Sequence, residues 1–137
     1  MAVTLRLAER AELPAVLDLW AASDAEPTHT DDLASLTRLM DADAEALVVA
    51  VDNGIVVGSV VAGWDGWRGS IYRLVVAPSH RHCGLGRQLL ERAEGSLQER
   101  GATRLAAIVV RSDDRAVGFW RSTGWSEQHD RVRFVHG

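Results

Sequence analysis

The sequence predicts an α/β fold: a mixed, mostly antiparallel central sheet that carries one parallel strand pair, with helices on both faces. Three observations lead there. Asn53-Gly54 separates two apolar, β-branched runs, the strongest short-range signal of an antiparallel hairpin. A second turn, Asp65-Gly66-Trp67-Arg68-Gly69, leads into a third such run, so the middle of the chain is a meander. Beyond Pro78 the apolar period lengthens from that of a strand to that of a helix. The strand-helix-strand-helix passage from Ile71 to Gly124 then requires a right-handed crossover, hence a parallel pair.

Val3, Leu5 and Leu7 alternate with polar residues and open the chain as a strand. Leu13, Val16, Leu17 and Trp20 recur at helical spacing, with Pro14 in a first turn that has no use for its missing N–H. Asp24 to Asp32 reads as a loop, and Leu33, Leu36 and Met40 as a short second helix. Leu47 to Val51 and Ile55 to about Trp64 form the hairpin, Ile71 to Val76 the next strand, and Pro78 closes it. Leu85, Leu89, Leu90, Ala93 and Leu97 mark one face of a long helix, ended at Gly101. Leu105 to Val110 has the composition of a buried strand. Ala116, Phe119, Trp120 and Thr123 share a face of a last helix stopped at Gly124, and Val132 to Val135 is expected to close the sheet as an edge strand.

A chain of 137 residues is the size of one α/β domain, expected to span 1–137 and large enough for a core without disulfide or metal staples. A net charge of −4 argues against a nucleic-acid partner, which would ask for a basic footprint. Cys83 is the one cysteine, so no internal disulfide forms, and a reducing, cytoplasmic setting is expected. The N-terminal stretch has no long apolar run of a signal peptide or membrane span. Five tryptophans are many for this length, and some are expected to line a groove.

The sharpest local signal is Arg81-His82-Cys83-Gly84-Leu85-Gly86-Arg87, between a strand and a long helix. Two glycines allow a tight turn and leave backbone N–H groups unobstructed. The helix dipole favours an anion, and the arginines add cationic donors. The motif is neither a Walker loop nor a dinucleotide fingerprint, for Gln88 and Leu89 stand where a third glycine is due. Taken alone, the loop suits either a phosphate or a plain glycine-rich cap.

The wider segment LVVAPSHRHCGLGRQLLERAE resembles the coenzyme A loop of the GNAT family of N-acetyltransferases, whose signature is Arg or Gln, two residues, Gly, one residue, then Gly or Ala. Arg81, Gly84 and Gly86 match it. Downstream, DDRAVGFWRSTGW resembles the family's Asn-x-x-Ala-x-x-Phe-Tyr followed by Gly-Phe. Ala116, Phe119 and Gly124 match, while Asp113, Trp120 and Trp125 stand at the Asn, Tyr and Phe positions. The resemblance, which runs from Val3 to Val135, implies the GNAT acyl-CoA N-acyltransferase fold, in which the parallel strand pair is splayed. It also implies acetyl-coenzyme A as cosubstrate, without a metal.

By that resemblance the backbone of Leu74, Val75 and Val76 pairs with the pantetheine arm, as strand addition would. The segment Arg81, His82, Cys83, Gly84, Leu85, Gly86 and Arg87 wraps the pyrophosphate, and Asp113, Phe119 and Trp120 lie along the arm. The N–H of Val76 is the candidate to polarise the thioester carbonyl for direct attack by a neutral amine. Trp120 replaces a tyrosine that serves family members as acid. Its indole is a donor but no practical acid, so it is expected to pack on the pantetheine end, with Phe119 as the alternative neighbour. Cys83 is either a small loop residue or, at a helix start, a reactive thiol. His80 and His82 lack further metal ligands at sensible spacing and are read as solvated or phosphate-facing.

Members that acetylate protein N-termini often carry a glutamate where this chain has Ile108. Candidate bases are Asp65, Glu26 and Asp31, each also readable as a solvated surface charge. His29, Trp64 and Trp67 are candidates to line the acceptor groove. Trp67 is equally readable as packed on a neighbouring loop or a second subunit. Arg73 interrupts an apolar strand: it grips an acceptor carboxylate, pairs with an internal acid, or escapes at the sheet face. The expected function is transfer of an acetyl group to a primary amine of a small or amino-acid-like acceptor, by a monomer or homodimer. Protein or peptide N-acetylation and a non-catalytic coenzyme A-binding module are the alternatives.

Overall fold

A computed structural model describes residues 2–23 and 26–137. Met1, and Asp24 and Ala25 of the expected loop, lie outside the described residues. Among the described residues nine strands and α-helices succeed one another: β1 (Val3–Leu7), α1 (Leu13–Ala22), α2 (Leu33–Ala42), β2 (Leu47–Asp52), β3 (Ile55–Trp64), β4 (Gly69–Val76), α3 (Leu85–Glu99), β5 (Leu105–Ala107) and α4 (Asp114–Ser122). Short 3-10 turns at Arg10–Glu12 and Pro78–His80 precede α1 and the glycine loop. The five strands form one sheet in the order β1-β2-β3-β4-β5. The first three pairings are antiparallel and β4–β5 is parallel. This is the mixed α/β architecture that the periodicity predicts.

The near-continuous apolar run of β2 follows from helices covering both faces of the sheet. Val48 and Ala50 pack with Leu85, Leu89, Leu90, Ala93 and Leu97 of α3. Their neighbours Leu47 and Val49 point the other way, onto Leu13, Val16, Leu19 and Trp20 of α1 and Leu36 of α2. Asn53 and Gly54, both at positive φ (50° and 77°), make the tight turn that suits the twist of a two-residue hairpin. The α3 helix ends at Arg100, with the Ala102 N–H bonded back to Leu97 O at 3.0 Å. No helix among the described residues is long and apolar enough to cross a membrane.

Two expectations are corrected. The strand read as Leu105 to Val110 stops at Ala107, where its partner on β4 is Ile71. The cause lies in β4. Ser59 faces Val75 and Val61 faces Tyr72, so Arg73 and Leu74 together oppose one residue, and Arg73 adopts φ 49°. Such a bulge bends its strand away from the neighbour beyond it. The expected edge strand Val132 to Val135 is absent: the segment has no ladder partner, and Val132 and Phe134 are 78% and 90% exposed. With β5 cut to three residues, the sheet offers that segment little edge to join.

Candidate active site

The parting of β4 from β5 opens a cleft of about 480 Å³. One wall is the end of β4, with Leu74, Val75 and Val76; the other is α4, with Ala116, Phe119, Trp120 and Ser122. The mouth is formed by His80, Arg81, His82, Gly84, Leu85, Gly86 and Arg87, and Ser23, Asp113 and Arg115 complete the lining. The cleft is thus an apolar throat with a basic mouth at the start of α3.

Backbone geometry turns β4 toward this space. The Ala77 N–H donates to Val57 O at 2.8 Å across the antiparallel pair with β3. Bond direction alternates along such a pair, so the N–H and C=O of Val76 point to the opposite edge. There β5 has already ended, and Nε of Arg81 donates to Val76 O at 3.3 Å. Inside the bulge, the carbonyl of Arg73 accepts from the buried Ser59 hydroxyl at 2.8 Å, and that hydroxyl accepts from Trp20 Nε1 at 2.8 Å. The displaced backbone is therefore satisfied and held open.

The mouth is shaped by left-handed residues: His82 has φ 62° and Gly84 φ 83°. A Cβ on Gly84 would meet nothing within 4 Å, so this glycine faces open space. A Cβ on Gly86 would stand 3.2 Å from Phe119 Cε1, which fixes how closely α3 approaches α4. Arg87 donates to Ser122 O at 3.1 Å, a bond at the last turn of α4, where a cation is favoured. Asp113 caps the start of α4, accepting from the Ala116 N–H at 3.1 Å. Trp120 packs edge-on against Phe119 and Trp125, with centroids 5.7 and 4.8 Å away.

Residues 13–125 match the acetyltransferase (GNAT) family. The chain belongs to this family. An acetyltransferase of Yersinia pestis is 32% identical over 124 residues, which cover 90% of this chain and 88% of that one. Two solved structures share the GNAT fold. Ard1 from Thermoplasma volcanium has a TM-score of 0.83 at 21% identity, over 94% of this chain and 86% of its own. The PaiA N-acetyltransferase from Thermoplasma acidophilum, in complex with coenzyme A, has a TM-score of 0.81 at 14% identity, over 93% and 92%. This GNAT protein is an acetyl-CoA-dependent acetyltransferase, and its fold is one that binds coenzyme A.

Twelve of the residues read from the sequence as coenzyme A contacts line the GNAT cleft. Cys83 does not: it is exposed, and its Sγ donates to His80 O at 2.7 Å. His80, read as solvated or phosphate-facing, lines the cleft too, while the sequence reading missed Ser23, Arg115, Ala116 and Ser122. Helical spacing from Asp113 (113, 116, 119, 122) was the available signal for Ala116 and Ser122. Among the described residues no group of three or more His, Cys, Asp or Glu stands together as a metal site.

None of the residues read for the acceptor side of the GNAT cleft lines it. His29 sits exposed in a turn, Trp64 is half-buried against the core, and Trp67 is 71% exposed with Arg68 stacked 4.1 Å from its ring. Asp65 is committed to the hairpin: its Oδ1 accepts the N–H groups of Trp67 and Arg68, both at 2.7 Å. Those bonds hold its carboxyl below the usual range, the wrong direction for a base at neutral pH. Arg73 finds its acid within the protein. Its guanidinium is paired with Asp31, donates to Glu26 O at 3.0 Å, and lies 5.1 Å from the Trp20 ring. Both the carboxylate-gripping role read for Arg73 and the base role read for Asp31 are thereby taken up by each other. Ile108, expected on β5, lies past its end and is 64% exposed.

Proposed function

We propose that this enzyme transfers an acetyl group from acetyl-coenzyme A to a primary amine of a small molecule or amino-acid-like acceptor, by direct attack on the thioester. The observation that carries it is the cleft with two chemistries, a basic glycine-rich mouth and an apolar throat against the parted edge of β4. Acetyl-coenzyme A supplies an activated acyl thioester and a diphosphate handle. The mouth suits the handle: Gly84 leaves room, the start of α3 favours an anion, and Arg81, His82 and Arg87 surround it. The turned-out backbone of Val76 suits an amide-bearing arm, and its N–H is assigned as the donor that polarises the thioester carbonyl. Phe119 and Trp120 flank the throat with apolar rings.

Among the described residues lining the cleft, Asp113 is the one carboxylate, and it is occupied as the α4 cap. The amine therefore attacks in its neutral form and gives its proton to water, while the C–S bond breaks and sulfur leaves as thiolate. A thiol's ordinary pKa of about 8.5 makes that departure tolerable without an acid. Ile108 in place of a glutamate supports a small acceptor over a protein N-terminus. The test is release of free thiol from acetyl-coenzyme A across a library of amines, amino acids and short peptides, with Gly86→Val as the binding-deficient control. Peptides outrunning every small amine would overturn the acceptor class. No acceptor above the rate in water would overturn the proposal.

A further inference from the structure

The imidazole of His80 lines the mouth, yet its ring is spoken for on both sides. Its Nε2 stands 2.8 Å from Asp52 Oδ2, and its Nδ1 stands 2.7 Å from Ser79 Oγ. A carboxylate only accepts, so Nε2 carries the hydrogen donated to Asp52, Nδ1 pairs with the Ser79 hydroxyl, and the ring plane is fixed. The His80 and Asp52 side chains are only 11% and 12% exposed. Asp52 belongs to the last position of β2, paired on one side with Val3 and on the other with Ile55, so it is a fixed point of the sheet. Asp52, His80 and Ser79 have the residue types of a hydrolytic triad. Ser79, however, is exposed and adjacent to His80 in the chain, and it lies outside the cleft lining. The arrangement holds a ring; it does not aim a nucleophile.

The loop beyond His80 needs holding. His82 is a non-glycine residue at φ 62°, and Gly84 stands close behind it at φ 83°. A left-handed conformation at such a residue persists only where its surroundings impose it. The turn before it is tied by the His80 ring to Asp52, the His80 N–H to Ala77 O at 2.9 Å, the His80 carbonyl to Cys83 Sγ at 2.7 Å and Arg81 Nε to Val76 O at 3.3 Å. Of these, the His80–Asp52 pair is the one that reaches a strand other than β4, at a residue 28 positions away. We infer that Asp52, acting through His80, is a positioning residue for coenzyme A: it anchors the mouth to the β2–β3 hairpin, so the diphosphate meets a loop already in its binding shape. A preformed site spares the ligand the entropy of ordering it. The inference rests on the mouth being the diphosphate site.

Calorimetry with three probes tests it: coenzyme A, adenosine diphosphate, which carries the diphosphate end, and pantetheine, which carries only the arm. Asp52→Ala and His80→Ala are expected to weaken coenzyme A and adenosine diphosphate by about ten- to hundredfold, the worth of one charge-assisted hydrogen bond, and to leave pantetheine within about twofold. Asp52→Asn keeps an acceptor for Nε2–H and is expected to recover most of the loss. Pantetheine weakened as much as coenzyme A, or a folded Asp52→Ala with unchanged coenzyme A affinity, overturns the inference. Should Asp52→Ala fail to fold, His80→Ala and Asp52→Asn decide by the same comparison. Wild-type protein that binds coenzyme A no more tightly than pantetheine would remove the diphosphate site itself, and the inference with it.

Discussion

Gly84 and Gly86 are required for different reasons, and their variants separate them. At Gly84 the obstacle is the backbone, φ 83° with open space around it, so valine there carries strain of about 1–2 kcal/mol and fills the mouth. At Gly86 the obstacle is Phe119, 3.2 Å from where a Cβ would stand. Both valine variants are expected to fold and to lose coenzyme A binding by calorimetry. Gly84→Asn should retain more affinity than Gly84→Val, because asparagine tolerates the left-handed region. Full affinity in both valine variants would take the loop out of the site. Trp120 is framed by Phe119 and Trp125, which points to a packing role. Trp120→Phe should keep turnover of the best amine within about tenfold, since an aromatic wall remains. A loss beyond about a thousandfold with normal coenzyme A binding would instead make the indole N–H catalytic, as that exceeds one lost hydrogen bond.

The bulge in β4 and the end of α3 each hang on one arginine. Arg73 bends β4 and pairs with Asp31. Arg73→Ala and Arg73→Gly both remove that pair, but only alanine keeps the cost of φ 49°. Arg73→Gly should therefore be the more stable of the two by about 1 kcal/mol in urea unfolding. The reverse order would mean that the bulge relaxes when the ion pair is gone. Arg100 joins the end of α3 to the segment between α2 and β2, through Asp43 at 2.7 and 2.8 Å and Glu45 at 2.6 Å. The guanidinium holds the Asp43 carboxyl below its ordinary 3.8. A depressed carboxyl stabilises the fold fully above that ordinary value and stops doing so as pH falls through the folded one. Arg100→Ala should lower Tm at pH 7 by about 3–5 °C, equivalent to about 1 kcal/mol. The gap from wild type should narrow below pH 3.8. A gap that persists unchanged in acid would assign it to lost packing.

What local pattern encodes, the sequence declares. The α3 stripe is buried at all five positions read from it, and the hairpin turns at Asn53-Gly54. The glycine loop and α4 deliver the cleft lining because each is a contiguous motif. What eluded sequence reasoning depends on neighbours remote in the chain. Arg73 meets Asp31 across 42 residues and His80 meets Asp52 across 28, and no spacing rule links either pair. A bulge is a property of register between two strands, so β5 was read as too long. The alternation near Val132 allows a strand but cannot supply an edge for it to join.

The opening in the sheet beyond Ile71 makes ligand binding a matter of stability as well as chemistry. On the proposed reading, an arm seated along β4 would act as a surrogate strand where the β4–β5 ladder has ended. Occupancy then couples to unfolding: coenzyme A at a hundred times its Kd should add about 2.7 kcal/mol. The gain should be local as well as global. The Val76 amide, turned toward the gap, should exchange its proton slowly once the arm is in place and quickly without it, while amides in the middle of β2 stay protected throughout. Melting that rises with coenzyme A while Val76 exchange stays fast would put the arm somewhere other than the open edge.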